Sequence, residues 1–213
     1  RTVFEKSGAK LVETTTFRAE RIFASYEDYW DLSSKSNSVS PAVKNLDLRL
    51  IEEIKTEVKE NLNISLIQSN LFWENTKKNI SNLSALISRI EKTDVILLPE
   101  MFNTAFCPNS SHLAETMNGS SIKWMIKIAK EKKCAISGSL MINSHNKIYN
   151  RLVWVSKTGE ISTYDKRHLF SLIKEDKFIT KGGGKIIITI EGWRVCPLIC
   201  YDLRFPVFSR NNV

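Results

Sequence analysis

Glu100, Lys166 and Cys200 each stand just behind a short apolar run: Glu100 after Val95–Leu98 and Pro99, Lys166 after Ile161–Tyr164, Cys200 after Val195–Ile199. Such runs read as strands. In α/β folds the strand ends collect reactive groups, because the sheet fixes position while the loops give access. A thiol, a carboxylate and an ammonium form a complete set for acyl transfer. The thiol attacks a carbonyl carbon, the carboxylate takes and returns protons, and the cation stabilises the developing oxyanion. Each residue also has an ordinary explanation. A buried Cys is usually a small hydrophobe, a Glu after a strand often marks a helix start, and a Lys near a turn is usually solvated.

The elements that must position these groups alternate. Ile64–Gln68 reads as a short buried strand, and Glu74–Glu91 as an amphipathic helix with Ile80, Leu83, Ile87 and Ile90 on one face. Val95–Leu98 is a second strand, cut off by Pro99. Ser120–Lys132 is a helix ending in lysines, as the dipole favours, and Cys134–Ser139 a third strand. Four strand candidates then follow in a row: Ile148–Val155, Ile161–Tyr164, Lys185–Ile190 and Arg194–Ile199, with Gly159 and Gly182–Gly184 as turns. The expectation is α/β, a sheet covered on at least one face by helices, with a largely β second half.

The only compositional break is the polar stretch Ser33–Pro41, which reads as a linker or long loop. Before it Lys10–Thr16 and Arg18–Ala24 look extended, and after it Asp47–Asn61 carries apolar residues at helical spacing. Residues 1–62 are too few to bury much core alone and read as an N-terminal extension to a domain over 63–213.

The composition, 42% hydrophobic and 25% charged, is that of a globular protein, and no apolar run approaches a bilayer span. The start of the chain has no apolar h-region of a signal peptide. Four scattered cysteines suit neither a disulfide scaffold nor zinc spacing, so a reducing cytoplasm is expected, with no metal and no cofactor. The net charge of +8 falls on the second region, since residues 1–62 hold ten Lys+Arg against eleven Asp+Glu. The basic residues form no dense run and show no aromatic platform, so they read as solvated lysines, with no nucleic acid or membrane partner expected.

Three segments carry a resemblance. Leu98-Pro-Glu-Met-Phe102, Tyr164-Asp-Lys-Arg-His-Leu-Phe170 and Cys196-Pro-Leu-Ile-Cys-Tyr-Asp-Leu-Arg-Phe-Pro206 resemble the Glu, Lys and Cys motifs of the nitrilase (carbon–nitrogen hydrolase) superfamily, in its order. Asn150-Arg-Leu, the Lys181-Gly-Gly turn and Gly192-Trp193 fit as well. Gln68–Asn75, Met117-Asn-Gly119 and the long Cys motif are similar to the omega-amidase branch. The resemblance covers residues 63–213 and implies an α-β-β-α sandwich that hydrolyses an amide of a small substrate through a Cys thioester.

Carried over residue by residue, it makes Cys200 the nucleophile, Glu100 the general base and Lys166 the cation beside both, helped by the backbone N–H of Tyr201. Glu175 matches a second glutamate that orients the lysine and borders the substrate. The branch implies a terminal amide of a small dicarboxylic acid, 2-oxoglutaramate among them, with Arg204 a candidate for the free carboxylate or for an ion pair with Asp202. Phe102 and Phe106 are candidates for the pocket wall or for core; Cys107, Cys134 and Cys196 read as packing. His168, two residues from Lys166, is given a supporting role rather than that of a papain-like partner.

Family members continue well past the Cys motif and are dimeric, so a truncated chain, inactive alone, is expected, with a homodimer for the full-length form. Residues 1–62 faintly resemble the C-terminal tail of a class I methyltransferase whose Gly-rich loop is missing, so no S-adenosylmethionine binding is expected. Three classes stay open: an amidohydrolase, a silent fusion of a methyltransferase tail to a nitrilase-like domain, and a basic binding module.

Overall fold

The structure, a computed structural model, describes Thr15–Phe17 and residues 61–210. Its centre is a six-stranded sheet whose spatial order is the chain order: β1 (Thr15–Phe17), β2 (Ile64–Leu66), β3 (Val95–Leu97), β4 (Ala135–Ser144), β5 (Lys147–Val155) and β6 (Ile161–Asp165). Strands β2, β3 and β4 run parallel, which demands long crossovers. Helices α1 (Thr76–Ser88) and α2 (Ser120–Lys132) lie in them. The β4–β5–β6 and β1–β2 pairs are antiparallel.

Alternation along the strands sorts the core into two faces. Ile96, Ile136, Leu140, Val153 and Val155 pack against Leu83 and Ile87 of α1 and Met125 and Ala129 of α2. Val95, Ala135, Leu152, Trp154 and Tyr164 face the other way. There they meet a two-stranded hairpin, β7 (Ile188–Ile190) with β8 (Trp193–Val195), through Ile188, Ile190 and Val195. Helices on one face and a second, small sheet on the other give the layering expected of the nitrilase-type fold.

Several expected boundaries move, each for a local reason. Helix α2 keeps its predicted bounds, and Lys133 ends it in the left-handed conformation at φ +54°. The third strand runs five residues further, to Ser144, because it is half of a hairpin that sequence reasoning did not find. Its two-residue turn, His145-Asn146, needs φ of +52° and +59°, and Asn tolerates that region. The last strand stops at Val195 instead of Ile199. Pro197 has no N–H to offer a ladder, so Cys196–Ile199 runs outside the named strands and leads into a 3₁₀ turn, Cys200–Arg204. The extended reading of Lys10–Thr16 overlaps β1; the extended reading of Arg18–Ala24 and the helical spacing of Asp47–Asn61, save its last residue, lie outside the described residues. No described helix is long and apolar enough to cross a membrane.

Candidate active site

Glu100 is delivered by a continuation of β3 along β4. Leu98 N–H donates to Ser137 O (2.7 Å), Met101 N–H to Ser139 Oγ (3.0 Å) and Phe102 N–H to Ser139 O (3.1 Å). Gly138 makes this possible, since a Cβ there would meet Leu98 Cβ at 2.8 Å and Phe102 Cδ1 at 2.9 Å. Lys166 is delivered by the end of β6: its N–H donates to Asn150 O (3.0 Å), and its carbonyl accepts from Gly182 N–H (2.9 Å). Beside it Arg151 and Asp165 form a two-pronged ion pair of 2.6 and 2.8 Å that sets the β5–β6 register. Glu175 comes back under Lys166 because its loop closes on itself, with Phe170 N–H donating to Glu175 Oε2 (2.7 Å) and Lys174 turning at φ +63°.

The three charges meet. Lys166 Nζ lies 2.7 Å from Glu100 Oε1 and 3.0 Å from Glu175 Oε2. Lys166 and Glu175 are 1% and 0% exposed, while the Glu100 side chain retains 21%. Burial alone would lower the Lys166 pKa, and the charges and hydrogen bonds of Glu100 and Glu175 outweigh it, so the value rises. The lysine is a fixed cation. Its Nζ also stands 5.5 Å over the Phe106 ring, within cation–π range.

Cys200 opens its 3₁₀ turn at φ +42°, a strained conformation for a side chain with a Cβ, of the kind that aims a nucleophile out of a turn. The residue is exposed, within electrostatic reach of Glu100, Lys166 and Glu175. Partial burial, then the Glu100 charge, push the thiol pKa above its ordinary 9.0 against the pull of Lys166. The thiol therefore rests protonated beside a carboxylate able to take the proton as attack occurs. Cys134, buried and pushed up to about 11, is inert packing by comparison.

A buried carboxylate ties this turn to β6. Asp202, 0% exposed, accepts at Oδ2 from Tyr164 Oη (2.7 Å) and Ile199 N–H (3.1 Å). At Oδ1 it takes the His168 N–H, with His168 Nδ1 also at 2.9 Å. Tyr164 sits two residues before Lys166 and Ile199 one before Cys200, so one side chain couples the lysine strand to the cysteine turn. His168 is stacked on Phe205 at 3.8 Å, held by Asp202 as a supporting group. Sequence reasoning did not single out Asp202 in this part, nor Asn150 as a site residue. A signal existed for Asn150: it shares the strand parity of Leu152 and Trp154, a core position occupied by a polar side chain.

With this geometry in place, the match to known proteins decides the family. The carbon-nitrogen hydrolase family model matches residues 63–213. The chain belongs to the carbon-nitrogen hydrolase family. Among curated relatives it is 38% identical over 153 residues to an omega-amidase YafV of Yersinia enterocolitica, covering 71% of this chain and 59% of the relative. A 2-oxoglutaramate amidase of Bacillus subtilis is 31% identical over 153 residues, covering 70% and 59%. A solved CN-hydrolase superfamily protein from Xanthomonas campestris, with an arsenic adduct in its active site, superposes with a TM-score of 0.69 at 36% identity, covering 70% of this chain and 57% of that one. The chain thus spans under two thirds of these relatives' length. The methyltransferase likeness of residues 1–62 finds no support in these comparisons.

For a carbon-nitrogen hydrolase, two sequence expectations need correction. Phe102 does not border the site: it lies in the turn after β3, 0% exposed in the core on the helix side, its ring 5.7 Å from Trp124. Phe106 is the aromatic beside the cation. The Arg204–Asp202 ion pair is absent among the described residues; the Asp202 oxygens are taken by Tyr164, His168 and Ile199, and Arg204 is exposed. Tyr201 is half-buried, its ring against Phe170 (4.9 Å) and Phe205 (5.3 Å).

Proposed function

We propose that this carbon-nitrogen hydrolase domain cleaves the terminal amide of a small dicarboxylic acid of the 2-oxoglutaramate class, releasing ammonia. The observation that carries it is an exposed Cys200, turned out at φ +42°, within electrostatic reach of a glutamate that is itself bound to a buried lysine at 2.7 Å. Relatives named omega-amidase and 2-oxoglutaramate amidase support the substrate class. Glu100 takes the thiol proton as sulfur attacks the amide carbon. Lys166 and the Tyr201 N–H stabilise the oxyanion. Glu100 then protonates departing ammonia, a poor leaving group otherwise, and activates the water that hydrolyses the thioester. Exposed Arg204 is a partner for the substrate's remaining carboxylate.

Ammonia release from 2-oxoglutaramate, measured on the 213-residue chain and on Cys200→Ala, tests the reading. Cys200→Ala is expected to abolish release; release that continues undiminished overturns the nucleophile. A wild-type chain that releases none, while Cys200 still alkylates readily, supports the second reading of a catalytically silent domain. The homodimer is likewise a proposal, supported by exposed Leu172, Leu203 and Val207.

A further inference from the structure

We propose that Asn150 is the residue that positions Glu100 against the Cys200 thiol, by supplying the donor that lets two carboxylates share one lysine. This rests on the reading of Cys200 as nucleophile and Glu100 as its base.

Asn150 is 0% exposed, on β5 between Lys166 and β4. Its Nδ2 lies 2.8 Å from Glu100 Oε1 and 3.1 Å from Glu175 Oε1, one amide hydrogen for each carboxylate. The orientation is forced, since a flipped amide would set its carbonyl oxygen against both acids. Its own backbone carbonyl receives the Lys166 N–H, so the same residue registers the lysine strand and spaces the two acids.

Charge counting shows why a further donor is required. Two carboxylates face a single ammonium, and Lys166 divides its protons between Glu100 Oε1 and both oxygens of Glu175. Glu175 keeps a further anchor in the Phe170 N–H and is fully buried. Among the described residues Glu100 has no such anchor, and it keeps some solvent access. When Asn150 Nδ2 is removed, like-charge repulsion is relieved most cheaply by Glu100 turning outward. It then leaves the thiol as well as the lysine. With Asn150 in place, Glu100 Oε1 is pinned by two donors and the carboxylate stays against Cys200.

The test reads the thiol rather than turnover: the pH dependence of iodoacetamide alkylation at Cys200 in the full 213-residue chain, followed by peptide mass spectrometry. Wild type is expected to titrate above 9.0, held up in part by Glu100. Glu100→Gln is expected to lower the midpoint by about one pH unit. Asn150→Ala is expected to lower it in the same direction, and the double variant no further than Glu100→Gln alone, because Asn150 acts through Glu100.

An unmoved midpoint in folded Asn150→Ala, or shifts that add in the double variant, overturns the proposal. If Asn150→Ala does not fold, Asn150→Ser, which donates to one carboxylate only, takes its place; an intermediate shift supports the inference and none overturns it. A Glu100→Gln chain that titrates like wild type sinks the underlying active-site reading, whereas a shift there without one at Asn150 sinks this proposal alone.

Discussion

Lys166 pulls the Cys200 thiol down while Glu100 pushes it up, so the two neighbours make opposite predictions. Lys166→Ala is expected to move the alkylation midpoint of Cys200 to higher pH, and to cost turnover of amide about 10²–10³-fold through the lost oxyanion partner. His168→Ala, which removes a ring held by Asp202, is expected to lower the melting temperature and keep most of the turnover. An inactive His168 variant beside an active Lys166 variant would point to a Cys–His dyad. Lys166 also binds its proton more tightly folded than unfolded. Its contribution to stability is therefore fully present below the ordinary 10.5 and lost only as pH rises through the higher folded value. Denaturant titrations from pH 7 to 11 are expected to show no loss from this group until the alkaline end.

The elements hold the site through close approaches that tolerate little. Gly182 donates to the Lys166 carbonyl, and a Cβ there would sit 2.0 Å from the Asp165 carbonyl oxygen, a backbone atom that cannot rotate away. Gly182→Ala is expected to cost about 1–3 kcal/mol, read as a fall in melting temperature, with loss of activity as the β6 end moves. Tyr164→Phe strips one of the bonds that tie the cysteine turn to β6, leaving Asp202 Oδ2 and the Arg167 N–H without their tyrosine partner. About 1–3 kcal/mol of destabilisation is expected from denaturant unfolding, without any change in the surface charge.

Over the whole molecule, stability concentrates where both faces of the sheet are covered. Val95, Ile96, Ile136 and Val153 are 0–1% exposed, whereas Ile187, just before β7, is 53% exposed. Amide hydrogen exchange is expected to be slowest in β3, β4 and β5 and much faster in the β7–β8 hairpin, which among the described residues pairs only with itself. Equal protection in the hairpin would mean that the second layer is as firmly held as the first.

Residue types and short-range order carried much of this. The strand before Glu100 and the helix Ser120–Lys132 were legible because apolar runs, a terminating proline and basic last turns act locally, whereas the motif around Cys200 was legible through its family resemblance. The α/β layering followed from the same alternation. What only the tertiary structure decided is which polar groups share a partner. That Asn150 spans Glu100 and Glu175 and that Asp202 answers Tyr164 and His168 rather than Arg204 depend on strand register and on which face a side chain takes; that Phe106 rather than Phe102 faces the lysine depends on the path of the turn after β3. Register is a contact between residues tens of positions apart, and one step of it turns every side chain to the opposite face.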